Sequence, residues 1–119
     1  MDSPPLYQCC QPALLLAAVD GDRAVFHALA QIFQQESVAR LDDIVRASAA
    51  GAFVDMGFEA HSLKGTVGVV GATTLVRLLQ DIEHAGLKHA QPCSPEQLAL
   101  LRQQLQLARD DMASFAATL

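Results

Sequence analysis

The stretch Phe53-Val54-Asp55-Met56-Gly57-Phe58-Glu59-Ala60-His61-Ser62-Leu63-Lys64-Gly65-Thr66-Val67-Gly68-Val69-Val70 carries apolar residues at Phe53, Met56, Ala60, Leu63, Val67 and Val70, in steps of three and four. Residues so spaced stack on one face of an α-helix, whereas a strand brings every second residue to one face. The spacing predicts a helix over 52–70 with a narrow buried seam. A helix with one seam needs other helices to cover it.

The flanking sequence supplies them. Beyond Gly71, the residues Leu75, Leu78, Ile82 and Ala85 repeat the spacing up to Gly86, expected to be the C-terminal stop of a helix over 73–86. Upstream, the chain from Asp22 to Ala50 contains neither Gly nor Pro, and Phe26, Leu29, Phe33, Leu41 and Ile44 keep a period close to 3.6. This predicts a long helix over 22–50, stopped by Gly51. A short helix over 13–19 is expected between Pro12 and Asp20-Gly21, with Pro4-Pro5 on the far side of that N-terminal segment. After a loop holding His89 and Pro92, Ser94-Pro95-Glu96-Gln97 opens a last helix over 95–117. There Ser94 caps, Pro95 suits the first turn and Gln97 completes a capping box. Its seam runs through Leu98, Leu101, Leu105, Ala108, Met112 and Phe115. No stretch alternates with period two. The expected fold is all-α, an antiparallel four-helix bundle with a short additional N-terminal helix, as a single domain over 1–119.

Composition narrows the function classes. Hydrophobic residues make up 51% of the 119 residues, which is enough apolar surface to offset chain entropy and excludes intrinsic disorder. A net charge of −5 with no basic run argues against nucleic acid or an anionic membrane as partner. No apolar run approaches the roughly 20 residues of a membrane span. The start Met1-Asp2-Ser3-Pro4-Pro5 lacks the basic region of a secretory signal, so a cytoplasmic location is expected. Cys9, Cys10 and Cys93 are odd in number and lack C-x-x-C spacing, which predicts reduced thiols rather than a disulfide framework or a zinc site.

The chemistry lies on the third predicted helix. At about 100° per residue, His61 falls on a flank away from the seam, with Gly57, Lys64, Gly65 and Gly68 within about 60° of it. A mid-helix glycine costs roughly 0.5–1 kcal/mol relative to alanine. Three on one face are therefore expected to provide clearance for a partner approaching the imidazole. An exposed imidazole near neutral pH is a nucleophile, and a lysine one turn on offsets the charge of an incoming phosphoryl group. Val54, Phe58 and Val69 flank the face as a small apolar docking rim.

Other candidates are weaker. His84, His89 and Cys93 lie close in sequence, but the two histidines are neither three nor four apart, so a metal site is not expected. Asp81 and Glu83, two apart, point to different sides of a helix and make no paired-carboxylate site. Glu83 is expected to make a surface or inter-helix polar contact, and His27 to be a surface residue. Asp20 and Asp22 suit a helix start. There is no G-x-x-x-x-G-K-[ST] loop and no kinase signature, so the protein is not expected to use ATP as a kinase on its own.

Ala60-His61-Ser62-Leu63-Lys64-Gly65, followed by Gly71-Ala72, Leu75, Leu78 and Glu83, closely resembles the signature of histidine-containing phosphotransfer (HPt) domains of two-component phosphorelays. Gly21-Asp22, Phe33 and the length from there to His61 resemble the family's long second helix, so the resemblance covers most of the chain. It implies that His61 is a phosphoacceptor, taking a phosphoryl group from the phospho-aspartate of one receiver domain and passing it to another. Lys64 matches the residue that helps neutralise the phosphate, and Gly65 the residue that keeps the surface open. Thr66 fits the small polar position after it, and Gly71 matches a helix junction. Gly57 and Gly68 are additional to the pattern and imply a looser third helix or closer docking. The implied docking face comprises Gly65, Gly57, Gly68, Val54, Phe58, Ser62 and Val69.

Nε2 is the expected attacking nitrogen, because it is the ring nitrogen farthest from the backbone. No cofactor is expected on this chain, and Mg²⁺ belongs to the receiver site. The implied partners are the receiver domain of a hybrid sensor kinase and that of a response regulator, met by a monomer. Met1 and the compact N-terminal segment favour a free-standing protein over a domain excised from a hybrid kinase. The competing reading is a helical docking module that binds a kinase or receiver through the same rim without being phosphorylated. His61→Gln discriminates the two, since a docking module tolerates it and a relay does not.

Overall fold

The computed structural model describes residues 7–119, so the readings made on Met1 to Pro5 lie outside the described residues. Five helices follow one another: α1 (Pro12–Ala18), α2 (Arg23–Ala49), α3 (Phe53–Gly68), α4 (Thr73–His89) and α5 (Pro95–Ala117), with no strand among the described residues. Local chemistry sets most of the ends. Asp22 caps α2 by accepting from the Val25 amide at 3.1 Å. At α5, Ser94 Oγ accepts from Gln97 N at 3.0 Å while the Gln97 side chain accepts from Ser94 N at 2.9 Å, a complete capping box. Gly51 (φ +73°) and Gly71 (φ +69°) stop α2 and α3 in left-handed turns. The next amides close them, with Ala52 N donating to Ala47 O and Ala72 N to Val67 O.

The expected stop at Gly86 is not there. Helix α4 continues to His89 and ends where Ala90 takes a left-handed φ of +48°. Gly86 is instead buried against α3, where a Cβ would stand 3.0 Å from both Gly57 N and Met56 Cε. It is a helix-packing glycine, a role set by a neighbouring helix and not by position along its own. Helix α3 is also shorter than its apolar pattern, because Val69 and Val70 lie in the turn that follows it.

Helix α2 packs on α3 and α5, and α4 packs on α3 and α5, so the four long helices close a ring around one core, with α1 against α2 and α5. The α3 seam is the centre of that core. Met56, Ala60, Leu63 and Val67 are fully buried and Val70 nearly so, while Phe53 is only half-buried. They meet Phe26 and Ile44 of α2, Leu75, Leu79 and Ile82 of α4, and Leu101 and Met112 of α5, all completely covered.

One end of the bundle is closed by the segment before α1. The buried Asp111 carboxylate of α5 accepts from the amides of Gln8 (3.1 Å), Cys9 (2.7 Å) and Cys10 (3.0 Å). Gln11 N donates to Val70 O at 2.6 Å, tying the same segment to the α3–α4 turn. All three cysteines are free. Burial, and after it the Asp111 charge, pushes the Cys9 thiol up to about 11 and the Cys10 thiol up to about 12 from an ordinary 9.0, so both stay protonated at neutral pH.

Candidate functional site

His61 stands midway along α3 on the side turned from the core, with 63% of its side chain exposed. The α3–α4 turn runs α4 back along α3. In that register Gly57 lies against Glu83 and Leu87, His61 against Glu83, and Gly68 against Val76. Glu83 thus reaches two α3 residues at once. Its Oε2 is 3.1 Å from His61 Nδ1 and its Oε1 accepts from Lys64 Nζ at 2.7 Å.

The bond to Glu83 determines the state of the ring. An ionised carboxylate has no proton to give, so it can only accept, and Nδ1 must donate. In the neutral imidazole the lone pair then resides on Nε2, which has no protein partner among the described residues. The arrangement is a nucleophilic nitrogen facing outward, a carboxylate behind it to balance any positive charge on the ring, and an ammonium beside it. Glu83, read from sequence as a residue for a polar contact and as the last position of the signature the chain resembles, is the centre of this site. Its α4 position was legible, but the partners across the helix interface depend on the α3–α4 register.

Glu83 also makes the site pH-sensitive. The hydrogen bond from Lys64, followed by that of His61 and the positive charge of both, holds its carboxyl below the ordinary 4.5 despite the opposing effect of partial burial. A carboxylate with a depressed folded value contributes stability that is complete above the unfolded value and lost as the pH falls through the folded one. Glu83→Gln is therefore expected to lower the unfolding free energy by about 1 kcal/mol at neutral pH. In urea titrations this deficit should shrink as the pH falls below the ordinary 4.5 and on through the lower value of the folded state. A deficit unchanged over that range would mean that the charged pairing contributes nothing.

The surroundings of His61 divide the predicted face. Beyond its chain neighbours and the backbone of its own helix, no heavy atom lies within 4 Å of where a Cβ would stand on Gly65, and at Gly68 only Val76 Cγ2 does, at 3.9 Å. Both leave open space. Gly57 does not: it is buried, and a Cβ there would meet Leu87 Cγ at 2.6 Å and the Glu83 carbonyl oxygen at 3.2 Å. The expectation that Gly57 is part of an open docking face is corrected, because its missing side chain makes room for α4. Ser62 is exposed, as are Val54 (54%), Phe58 (59%) and Val69 (55%). Sequence reasoning missed the contribution of α2: Ile32, 51% exposed, joins Leu29, Phe33, Thr66, Val69 and Val70 around a shallow apolar depression beside the site. On the other side Phe58 borders a polar groove with Asp43, Arg46, Asp55 and Glu59.

The remaining candidates stay apart from this centre. His84 and His89 are exposed with ring centroids 6.4 Å apart, while Cys93 is buried with Sγ 3.6 Å from Met56 Sδ. Among the described residues no group of three or more His, Cys, Asp or Glu is placed to hold a metal ion. His27 is exposed on α2. No described helix is long and apolar enough to cross a membrane.

No curated protein and no solved structure matches the chain. The model of the Hpt domain matches residues 28–111, well over half of the sequence and from α2 to α5, with His61, Lys64 and Glu83 inside the matched span. The chain belongs to the Hpt domain family, the histidine phosphotransfer modules that interact with receiver domains in two-component phosphorelays.

Proposed function

We propose that His61 is the phosphoacceptor of this domain, taking the phosphoryl group from the phospho-aspartate of one receiver domain and yielding it to the aspartate of a second. The observation that carries the reading is the Glu83 bond to Nδ1, which leaves the lone pair on the outward nitrogen. In the forward step Nε2 attacks phosphorus, the N–P bond forms, the acyl-phosphate P–O bond breaks, and the aspartate leaves as a carboxylate. Nδ1 keeps its proton throughout. The ring becomes a phospho-imidazolium whose positive charge Glu83 balances, and the neutral imidazole is a good leaving group when the second aspartate attacks. Lys64 Nζ is placed to turn from Glu83 towards the phosphoryl oxygens. Mg²⁺ in this scheme sits at the receiver's site and neutralises the transferring group. Gly65 and Gly68 give the receiver clearance, and Val54, Phe58, Ser62, Val69 and the α2 residue Ile32 form the surface on which it docks.

The test is transfer itself. Incubated with a phosphorylated receiver domain and Mg²⁺, the protein is expected to take up acid-labile, base-stable phosphate, located by peptide mapping to His61. Adding a second, unphosphorylated receiver should then discharge it. Binding to receivers with no uptake from any of them would make the protein a docking module instead.

A further inference from the structure

We infer that Gly57 and Gly86 are positioning residues: the backbone contact they permit between α3 and α4 seats the Glu83 carboxylate on His61 Nδ1. The inference uses the proposed role of His61 only for its consequence in phosphotransfer. Its structural content stands on the helix crossing. Packed helices ordinarily keep their axes about 8–10 Å apart, with side chains filling the space between. Here both sides of the crossing lack a side chain. A Cβ on Gly86 would strike the Phe53 carbonyl oxygen and stand 3.0 Å from Gly57 N. A Cβ on Gly57 would stand 3.2 Å from the carbonyl oxygen of Glu83 itself, and 2.6 and 2.9 Å from Leu87 Cγ and Cδ2.

The choice of ring nitrogen makes this closeness matter. Nδ1 is bonded directly to Cγ and lies near its own helix, whereas Nε2 projects outward. A carboxylate on a neighbouring helix reaches Nδ1 only if that helix comes in close. His61 lies one turn along α3 from Gly57, and Glu83 one turn along α4 from Gly86 and Leu87, so the Glu83–His61 bond is the next rung of the glycine contact. At 3.1 Å it has little slack, since a displacement of about 0.5 Å takes it beyond hydrogen-bonding range. The charges acting on Glu83 are those of Lys64 and His61, both on α3, so moving α4 away loosens both together.

The experiment reads the His61 tautomer by ¹⁵N NMR of the neutral imidazole, with no receiver present, in wild type, Gly57→Ala, Gly68→Ala and the double variant Gly57→Ala/Leu87→Ala. Alanine is the better helix former at either glycine. A change confined to Gly57→Ala therefore cannot come from a weakened α3. Wild type and Gly68→Ala are expected to show the Nδ1–H form, Gly57→Ala a shift towards Nε2–H, and the double variant a return towards wild type as the Leu87 clash is relieved. Phosphate uptake from a phosphorylated receiver should fall about tenfold in Gly57→Ala and recover in the double variant. An unchanged tautomer in Gly57→Ala, or an equal shift in Gly68→Ala, overturns the inference. Should Gly57→Ala not fold, the double variant is compared with Leu87→Ala alone: the Cβ it carries in place of Gly57 still presses on the Glu83 carbonyl oxygen, so a tautomer identical in the two folded proteins would overturn the positioning role. If instead wild type has the Nδ1–H form but accepts no phosphate from any receiver, the phosphotransfer reading fails while the positioning of Glu83 stands.

Discussion

Replacing His61 with glutamine is expected to abolish phosphate uptake, by about a thousandfold or more, while leaving the fold and receiver binding intact. An amide has no nucleophilic lone pair, and no other side chain is placed to substitute. Lys64 is the nearest basic group, but its ammonium is held by Glu83 at 2.7 Å and carries no lone pair while protonated. The cost to stability should be small, within about 0.5 kcal/mol, because His61 is 63% exposed and the core seam of α3 is untouched. The glutamine side chain retains an N–H with which to meet Glu83, so the Lys64–Glu83 pair should stay in place. Uptake of acid-labile phosphate and receiver binding by calorimetry, measured on the same preparation, separate the two properties. Label persisting in the variant would move the acceptor to another residue, and loss of binding with uptake would mean that the imidazole serves docking rather than chemistry.

Much of this site was legible because its determinants are local. The seam of α3 follows from three- and four-residue steps, and once the seam is known the position of His61 on the opposite flank follows from rotation alone. The Asp22 cap and the Ser94–Gln97 capping box were equally legible, since each closes within three residues. What failed was read along one helix but decided by two. Gly86 resembles a stop signal in its own sequence context, yet α4 runs through it because the α3 backbone occupies the space its side chain would need. Gly57 lies within 60° of His61 on a wheel, but that wheel does not say where the neighbouring helix sits. Glu83 was placed on α4 correctly, and its hold on His61 and Lys64 emerged only with the register across the interface. Ile32 escaped because it falls outside the α2 seam, on the flank turned to the turn after α3. Asp111 is the extreme case: its three amide partners lie more than 100 residues away in the chain.

Asp111→Ala is accordingly expected to be the most damaging single change outside the apolar core. Burying a carboxylate is unfavourable unless hydrogen bonds compensate, and here three backbone amides do so. Truncation leaves those amides facing a space with no acceptor, two of them on the half-buried Cys9 and the buried Cys10. At roughly 1–3 kcal/mol for each buried donor left unpaired, with Gln8 regaining water, the loss should be about 3 kcal/mol. For a domain of this size that lowers the melting temperature by about 10 °C. Asp111→Asn should rescue little, since its amide offers one acceptor and turns an N–H₂ donor towards donors. A second readout locates the damage. In wild type the Cys9 and Cys10 thiols are held protonated by burial and by the Asp111 charge, so they should react slowly with a thiol reagent at neutral pH. Freed from α5, the segment before α1 exposes both, and their labelling should accelerate well before global unfolding. A variant with wild-type melting and wild-type thiol reactivity would show that the three amide bonds do not hold the segment. Faster labelling with unchanged phosphate uptake would show that the closed end and the His61 centre are energetically separate parts of the bundle.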